Sequence, residues 1–141
     1  MAPIVYEPIG WVRSPYKAPS EAPPQSFLRD GVLATIQVRP ELAEGLSDLT
    51  VGGYLVVLFH FHLSQGYTLR TKTPWSDLLR GVFSTRSPHR PNPIGLSIVK
   101  LVAVDGCELT IDGVDMVDGT PVLDLKMWWS DLVPSGARDR A

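Results

Sequence analysis

Apolar and polar positions alternate in short runs along this chain, and no segment longer than about ten residues carries the 3.6-residue period of an amphipathic helix. Between Gly31 and Val38 the alternation puts Val32, Ala34, Ile36 and Val38 on one face. From Tyr54 to Leu63 the odd positions Leu55, Val57, Phe59, Phe61 and Leu63 are all apolar. Tyr54, Val56, Leu58, His60 and His62 line the opposite face, which turns polar towards its end. Ile94 to Val104 and Cys107 to Met116 read as two strands flanking Asp105-Gly106, a dipeptide suited to a type I′ hairpin. Ile4 to Val12 and Pro121 to Lys126 add an N-terminal and a late strand, and Pro40 to Leu46 reads as one or two helical turns stopped by Gly45. Short strands joined by Gly/Pro turns predict an all-β barrel or sandwich with at most short helical turns. The absence of a GxGxxG after a strand, of a Walker loop and of long helices between strands excludes a nucleotide-binding α/β sheet.

At 141 residues with 44% hydrophobic content, the chain holds one core, expected over residues 1–132, with a polar, frayed tail over 133–141. The single cysteine, Cys107, excludes an internal disulfide and suits a reducing compartment. No basic leader and no span of about 18 apolar residues is present, so a soluble, cytoplasmic protein without a membrane partner is expected. A formal net charge of −2 argues against a general nucleic-acid binder. The distribution qualifies this: between Arg70 and Arg90, Arg70, Lys72, Arg80, Arg86 and Arg90 face only Asp77, which suits a small, local anionic partner.

The basic stretch ends in Ser84-Thr-Arg-Ser-Pro-His-Arg-Pro-Asn-Pro-Ile-Gly-Leu-Ser97. Pro88, Pro91 and Pro93 fix their own φ and push Ser87, Arg90 and Asn92 out of the α region, so this loop is stiff. Because an apolar strand follows at once, Arg86 and Arg90 are expected at the mouth of the core, two guanidinium forks poised for a carboxylate or phosphate.

Other chemistry is thinner. His60 and His62 could share a strand face, but no third ligand is evident and no metal site is expected. Asp112, Asp115, Asp118 and Asp124 crowd one segment in which Asp118-Gly119-Thr120-Pro121 has turn chemistry. Beside the arginine loop, that turn could offer acceptors and backbone donors to a ligand carrying both charges. Cys107 falls within an expected strand and no nucleophile elbow occurs, so covalent catalysis is not indicated. Trp11, Tyr16, Phe27 and Tyr67 could stack a base, while of the adjacent pair Trp128-Trp129 one ring should be exposed.

Five stretches resemble the TsaA-like or TrmO family of S-adenosylmethionine-dependent tRNA N6-methyltransferases. They are Ile9-Gly-Trp-Val-Arg-Ser-Pro-Tyr-Lys17, Ala43-Glu-Gly-Leu46, Phe59-His-Phe-His62, Gly81 through Ser97, and Gly113-Val-Asp-Met-Val-Asp-Gly-Thr-Pro-Val-Leu-Asp-Leu-Lys126. The resemblance implies a small closed β-barrel with Pro-rich loops. It also implies a homodimer with the site near the subunit interface, and methyl transfer to N6 of a threonylcarbamoylated adenosine beside the tRNA anticodon. By similarity, S-adenosylmethionine contacts fall to Gln25, Ser26, Phe27, His62, Leu63, Arg86, Leu96, Asp115, Asp118, Gly119 and Thr120. Asp118, or the substrate's own carboxylate, is the candidate base, and Arg90 and Lys126 are candidates for substrate phosphate or carboxylate. The chain departs from the family at Gln25-Ser-Phe27, where Gln-Pro-Gly is common, at Gly52-Gly-Tyr54, and at Met127, where proline is usual. Leu63 to Arg80 also reads as shorter than in the bacterial tRNA enzymes, and no counterpart of the C-terminal domain that many of them carry is expected. Two alternatives stay open: methylation of a small-molecule acceptor on the same scaffold, and a non-catalytic module that binds S-adenosylmethionine or a nucleotide.

Overall fold

The fold is that of a computed structural model describing residues 1–23 and 31–129. Six strands close into an antiparallel barrel: β1 (Gly10–Arg13), β2 (Leu33–Val38), β3 (Tyr54–His60), β6 (Ile94–Asp105), β7 (Glu108–Asp112) and β8 (Pro121–Met127). Their order around the barrel is β1-β2-β7-β6-β3-β8, with β8 returning to β1. The remaining strands, β4 (Arg70–Thr73) and β5 (Ser76–Gly81), form a separate two-stranded hairpin. Helical structure among the described residues is confined to three 3₁₀ segments, Pro19–Glu21, Pro40–Leu46 and Val82–Ser84. None of the helices is long and apolar enough to cross a membrane among the described residues.

The predicted alternation builds the core. Ala34, Ile36 and Val38 from β2 and Leu55, Val57 and Phe59 from β3 are buried, as are Val99, Leu101, Leu109, Ile111 and Val122 from the neighbouring strands. Side chains thus fill the barrel, as small barrels require, so any ligand must bind at its end rather than in its interior. Buried Val114 and Met116 follow β7, and Tyr16 follows β1. The exceptional inward position is Ser97, fully buried on β6, whose hydroxyl donates to Asp115 Oδ1 at 2.7 Å. One end of the barrel carries the β6–β7 hairpin. At the other end, where β1, β3 and β7 stop and β2, β6 and β8 start, the β1–β2, β3–β6 and β7–β8 connections meet.

Several boundaries differ from the sequence reading. The first strand begins at Gly10 rather than Ile4, and residues 1–7 are exposed. The β6–β7 hairpin is where the pattern put it, but Asp105 pairs with Glu108, leaving Gly106 and Cys107 as the turn. Positive φ falls on Gly106 (60°) and not on Cys107, which matches a II′ turn rather than I′ and moves Cys107 out of the strand. Strand β3 ends at His60, and Phe61 N–H then bonds Pro93 O at 2.8 Å while Ser64 N–H closes a turn onto Phe61 O at 3.1 Å. His60 and His62 therefore do not share a strand face. Trp129 is exposed and Trp128 half-buried, as adjacent extended positions should be. The tail over 133–141 lies outside the described residues.

Candidate functional site

A cleft of about 1020 Å³ opens at the end where these three connections meet. Its floor is aromatic: the rings of Phe59 and Phe61 meet edge to face at 5.0 Å between centroids and 75° between planes. Gly95, opposite Phe59 in the β3–β6 ladder, leaves room for that ring, since a Cβ there would collide with it. Pro19, Ala22 and Pro23 form one wall, the arginine loop a second, Asp115 to Val117 with Thr120 a third, and the β4–β5 hairpin a fourth.

The arginine loop is held by its own hydrogen bonds. Thr85 N–H and Thr85 Oγ1 both donate to Val82 O, at 3.0 and 2.8 Å, and Ser64 Oγ donates to Pro88 O at 2.9 Å. Arg90 Nη1 donates to Thr85 O at 2.9 Å and to Ser87 O at 3.2 Å, so half-buried Arg90 clasps the loop from within. Arg86 is exposed, and its hydrogen bond to Leu96 O is long, 3.4 Å. The two arginines both line the cleft, but Arg86 has the freer guanidinium for a ligand and Arg90 is largely committed to the backbone.

The β7–β8 connection is clamped to the end of β1. Asp118 N–H donates to Tyr16 O at 2.6 Å, and Gly119, at φ 84°, donates to Val12 O at 2.8 Å. The Asp118 carboxylate accepts from Ser14 N–H at 3.0 Å and from Lys17 Nζ at 3.0 Å. Those two donors, the Ser14 amide first and Lys17 second, hold its carboxyl below the usual carboxylate range. Asp118 and Gly119 do not line the cleft, whereas Asp115 and buried Thr120 do. Burial, and then the neighbouring His60, push the His62 imidazole below its ordinary range, so it faces the cleft uncharged at neutral pH.

The structure thus brings His62, Leu63, Arg86, Arg90, Leu96, Asp115 and Thr120 to one cleft. Lys126 lies elsewhere, on the outer face of β8 opposite Val56 and paired with Asp124 at 2.7 Å. Gln25, Ser26 and Phe27 lie outside the described residues. The sequence reading missed the hairpin wall with Lys72, Thr73, Pro74, Trp75 and Arg80; the local excess of basic residues was its only signal.

Similarity to known proteins covers the same region. The family model of the tRNA-methyltransferase O N-terminal domain matches residues 11–132. A probable S-adenosyl-L-methionine-binding protein of Pyrococcus abyssi is 42% identical over 87% of this chain and 67% of its own length. A mouse tRNA (adenine(37)-N6)-methyltransferase is 37% identical over 91% of this chain but only 31% of its own length. The crystal structure of TrmO from Pseudomonas aeruginosa superposes with a TM-score of 0.79 at 32% identity, covering 93% of this chain and 58% of that one. The chain therefore spans about a third to two thirds of these relatives. With its barrel, the loops at the barrel's end and nearly its whole length inside the match, the chain belongs to the tRNA-methyltransferase O family, by that family's N-terminal domain.

Proposed function

We propose that this domain binds S-adenosylmethionine in the cleft and methylates N6 of an adenosine in tRNA, the threonylcarbamoylated adenosine beside the anticodon. The observation that carries the reading is the convergence of Arg86, Asp115, uncharged His62 and an apolar aromatic floor on one barrel mouth. That set fits the donor's chemistry. Arg86 offers two parallel donors to its carboxylate, and Asp115 with a neutral His62 adds no positive charge beside a sulfonium. Phe59, Phe61 and Leu96 offer apolar contact to its adenine ring. When bound, the donor supplies an electrophilic methyl group whose carbon–sulfur bond breaks as the N6–carbon bond forms, its electron pair leaving on sulfur.

The chain's part is positioning, since aligning reactants can supply about 7–11 kcal/mol of an activation barrier without a covalent intermediate. The N6 proton must leave during transfer. Asp118 was the expected acceptor, but its engagement by Ser14 and Lys17 outside the cleft lining supports a positioning role for it. The acceptor's own carboxylate is then the favoured base. We further propose a homodimer in which the outer face of β3 and β6 meets a second copy. Val56 pairs with Ile98, Leu58 with Leu96 and His60 with Ile94 there, and Ile94 and Leu96 also edge the cleft. Sedimentation of the parent as a monomer at micromolar concentration would refute that part.

The names of relatives such as the S-adenosyl-L-methionine-binding protein of Archaeoglobus fulgidus favour a second reading, a binding module without turnover. Calorimetry with S-adenosylmethionine and nucleoside mass spectrometry of treated tRNA decide between them. Tight cofactor binding and formation of N6-methyl adenosine are expected. Cofactor binding with no methylated nucleoside would select the second reading, and an Arg86→Ala variant that binds cofactor as tightly as the parent would refute the site.

A further inference from the structure

The cofactor reading uses the floor of the cleft and the walls that carry Arg86 and Asp115, and gives the β4–β5 hairpin no task. Lys72, Thr73, Pro74, Trp75 and Arg80 all face the cleft from this element. Thr73 pairs with Ser76, which makes Pro74 and Trp75 the two-residue turn at the hairpin's tip and leaves Trp75 62% exposed. Lys72 and Arg80 are exposed and form no ion pair among the described residues. The Thr73 hydroxyl is buried at the cleft and has no hydrogen-bond partner among the described residues, an arrangement that leaves its desolvation uncompensated.

Two physical considerations turn these residues into a site. Pockets for one drug-sized ligand measure about 300–1,000 Å³, so a cleft of about 1020 Å³ has room for the methyl donor and part of a second nucleoside. An isolated two-stranded hairpin is marginal in water. Here β4 and β5 pair only with each other, tied at the base by Val82 N–H to Leu69 O at 2.8 Å, while Leu69, Leu78, Leu79 and Trp75 stay exposed. Such an element gains most from a ligand that lies against it.

We propose that the hairpin is the acceptor-binding flap of this domain. Trp75 stacks on the adenine ring that presents N6, Lys72 and Arg80 take the anionic groups next to it, and Thr73 Oγ1 hydrogen-bonds the nucleoside. An indole reads any base by its π face and a lysine–arginine pair tracks phosphate, so the site takes an unstacked RNA base. The inference rests on the reading of the protein as an RNA adenosine methyltransferase.

The test measures binding of a fluorescently labelled anticodon stem-loop RNA by anisotropy, with S-adenosylmethionine affinity measured in parallel by calorimetry. Trp75→Ala is expected to weaken RNA binding about 5- to 150-fold, the effect of losing one base–aromatic stack, and to leave cofactor affinity within about twofold. Trp75→Phe recovers most of the loss. RNA affinity unchanged by Trp75→Ala overturns the proposal, as does a parent that does not bind the RNA. Joint loss of RNA and cofactor binding assigns Trp75 a structural role and overturns it too. So does a change of oligomeric state with RNA affinity intact, which would give the hairpin to a second copy. A parent that binds RNA through Trp75 yet transfers no methyl group upholds the flap and sinks the enzymatic reading.

Discussion

Removing the Asp118 carboxylate tests whether the end of the barrel is clamped as described. Oδ1 accepts from the Ser14 N–H at 3.0 Å and Oδ2 from Lys17 Nζ at 3.0 Å. A hydrogen bond to a charged acceptor contributes about 1.5–3 kcal/mol, whereas an exposed ion pair contributes about 0–1. Because Lys17 is 67% and Asp118 36% exposed in their side chains, the ion pair belongs at the low end of its range. Asp118→Ala should therefore cost about 2–3 kcal/mol, and Asp118→Asn, whose amide oxygen still accepts from Ser14, about 1. The pH dependence has a definite sign. The folded carboxyl titrates below its ordinary range, so its contribution is complete above the unfolded value and disappears as pH falls through the folded one. Urea unfolding stepped from neutral to acid pH should show that loss in the parent and its absence in Asp118→Asn. An asparagine variant as unstable as the alanine variant at neutral pH would refute the ranking, because the ion pair would then outweigh the amide bond. An alanine variant as stable as the parent would remove the clamp altogether.

Gly95→Ala should force the Phe59 ring off the cleft floor, costing about 1–3 kcal/mol by overpacking and weakening cofactor binding, both readable by thermal shift with and without ligand. Arg90→Ala should loosen the arginine loop, so that amide exchange speeds up over residues 85–87, whereas Arg86→Ala should weaken cofactor binding and leave that exchange unchanged. Cofactor affinity should fall as pH drops below the ordinary imidazole range. Protonating His62 puts a positive charge beside a cationic ligand, and His62→Gln should flatten the profile in calorimetry.

The barrel was legible where the two faces of a strand differ: β2 and β7 set Ala34, Ile36, Val38, Leu109 and Ile111 inward against Thr35, Gln37, Glu108 and Thr110. Leu55, Val57 and Phe59 announce β3 by period alone, and the Asp105-Gly106 signal located a hairpin even though the turn itself is Gly106-Cys107. The β4–β5 hairpin escaped because neither of its faces is buried: Lys72, Leu78, Leu79 and Arg80 are all exposed, so no alternation marks it. Parity along a strand also misled once, at His60 and His62, because the chain turns at Phe61 and side-chain alternation ends with the ladder. The stiff arginine loop was readable from its prolines. Which arginine clasps the loop and which stays exposed was not, since that depends on where the carbonyls of Thr85 and Ser87 point. Asp118 looked like a site residue by its motif, yet its partners come from the other end of the chain, 104 residues away for Ser14.

That distance bears on how the domain is made. Strand β1 is synthesised before every other stave of the barrel and β8, which completes the barrel beside it, after all of them, and they meet through Gly10 with Val122 and Trp11 with Pro121. Contacts of such long range form late, after the local β6–β7 hairpin, since closing a long loop costs entropy before it is rewarded. Until then β1 offers an unpaired strand edge to other nascent chains. The Asp118 clamp and the Thr120 wall of the cleft form at the same seam, so the capacity to hold a ligand appears only with the final closure. Ligand present during synthesis would favour the closed barrel by mass action and shorten the time that edge stays open.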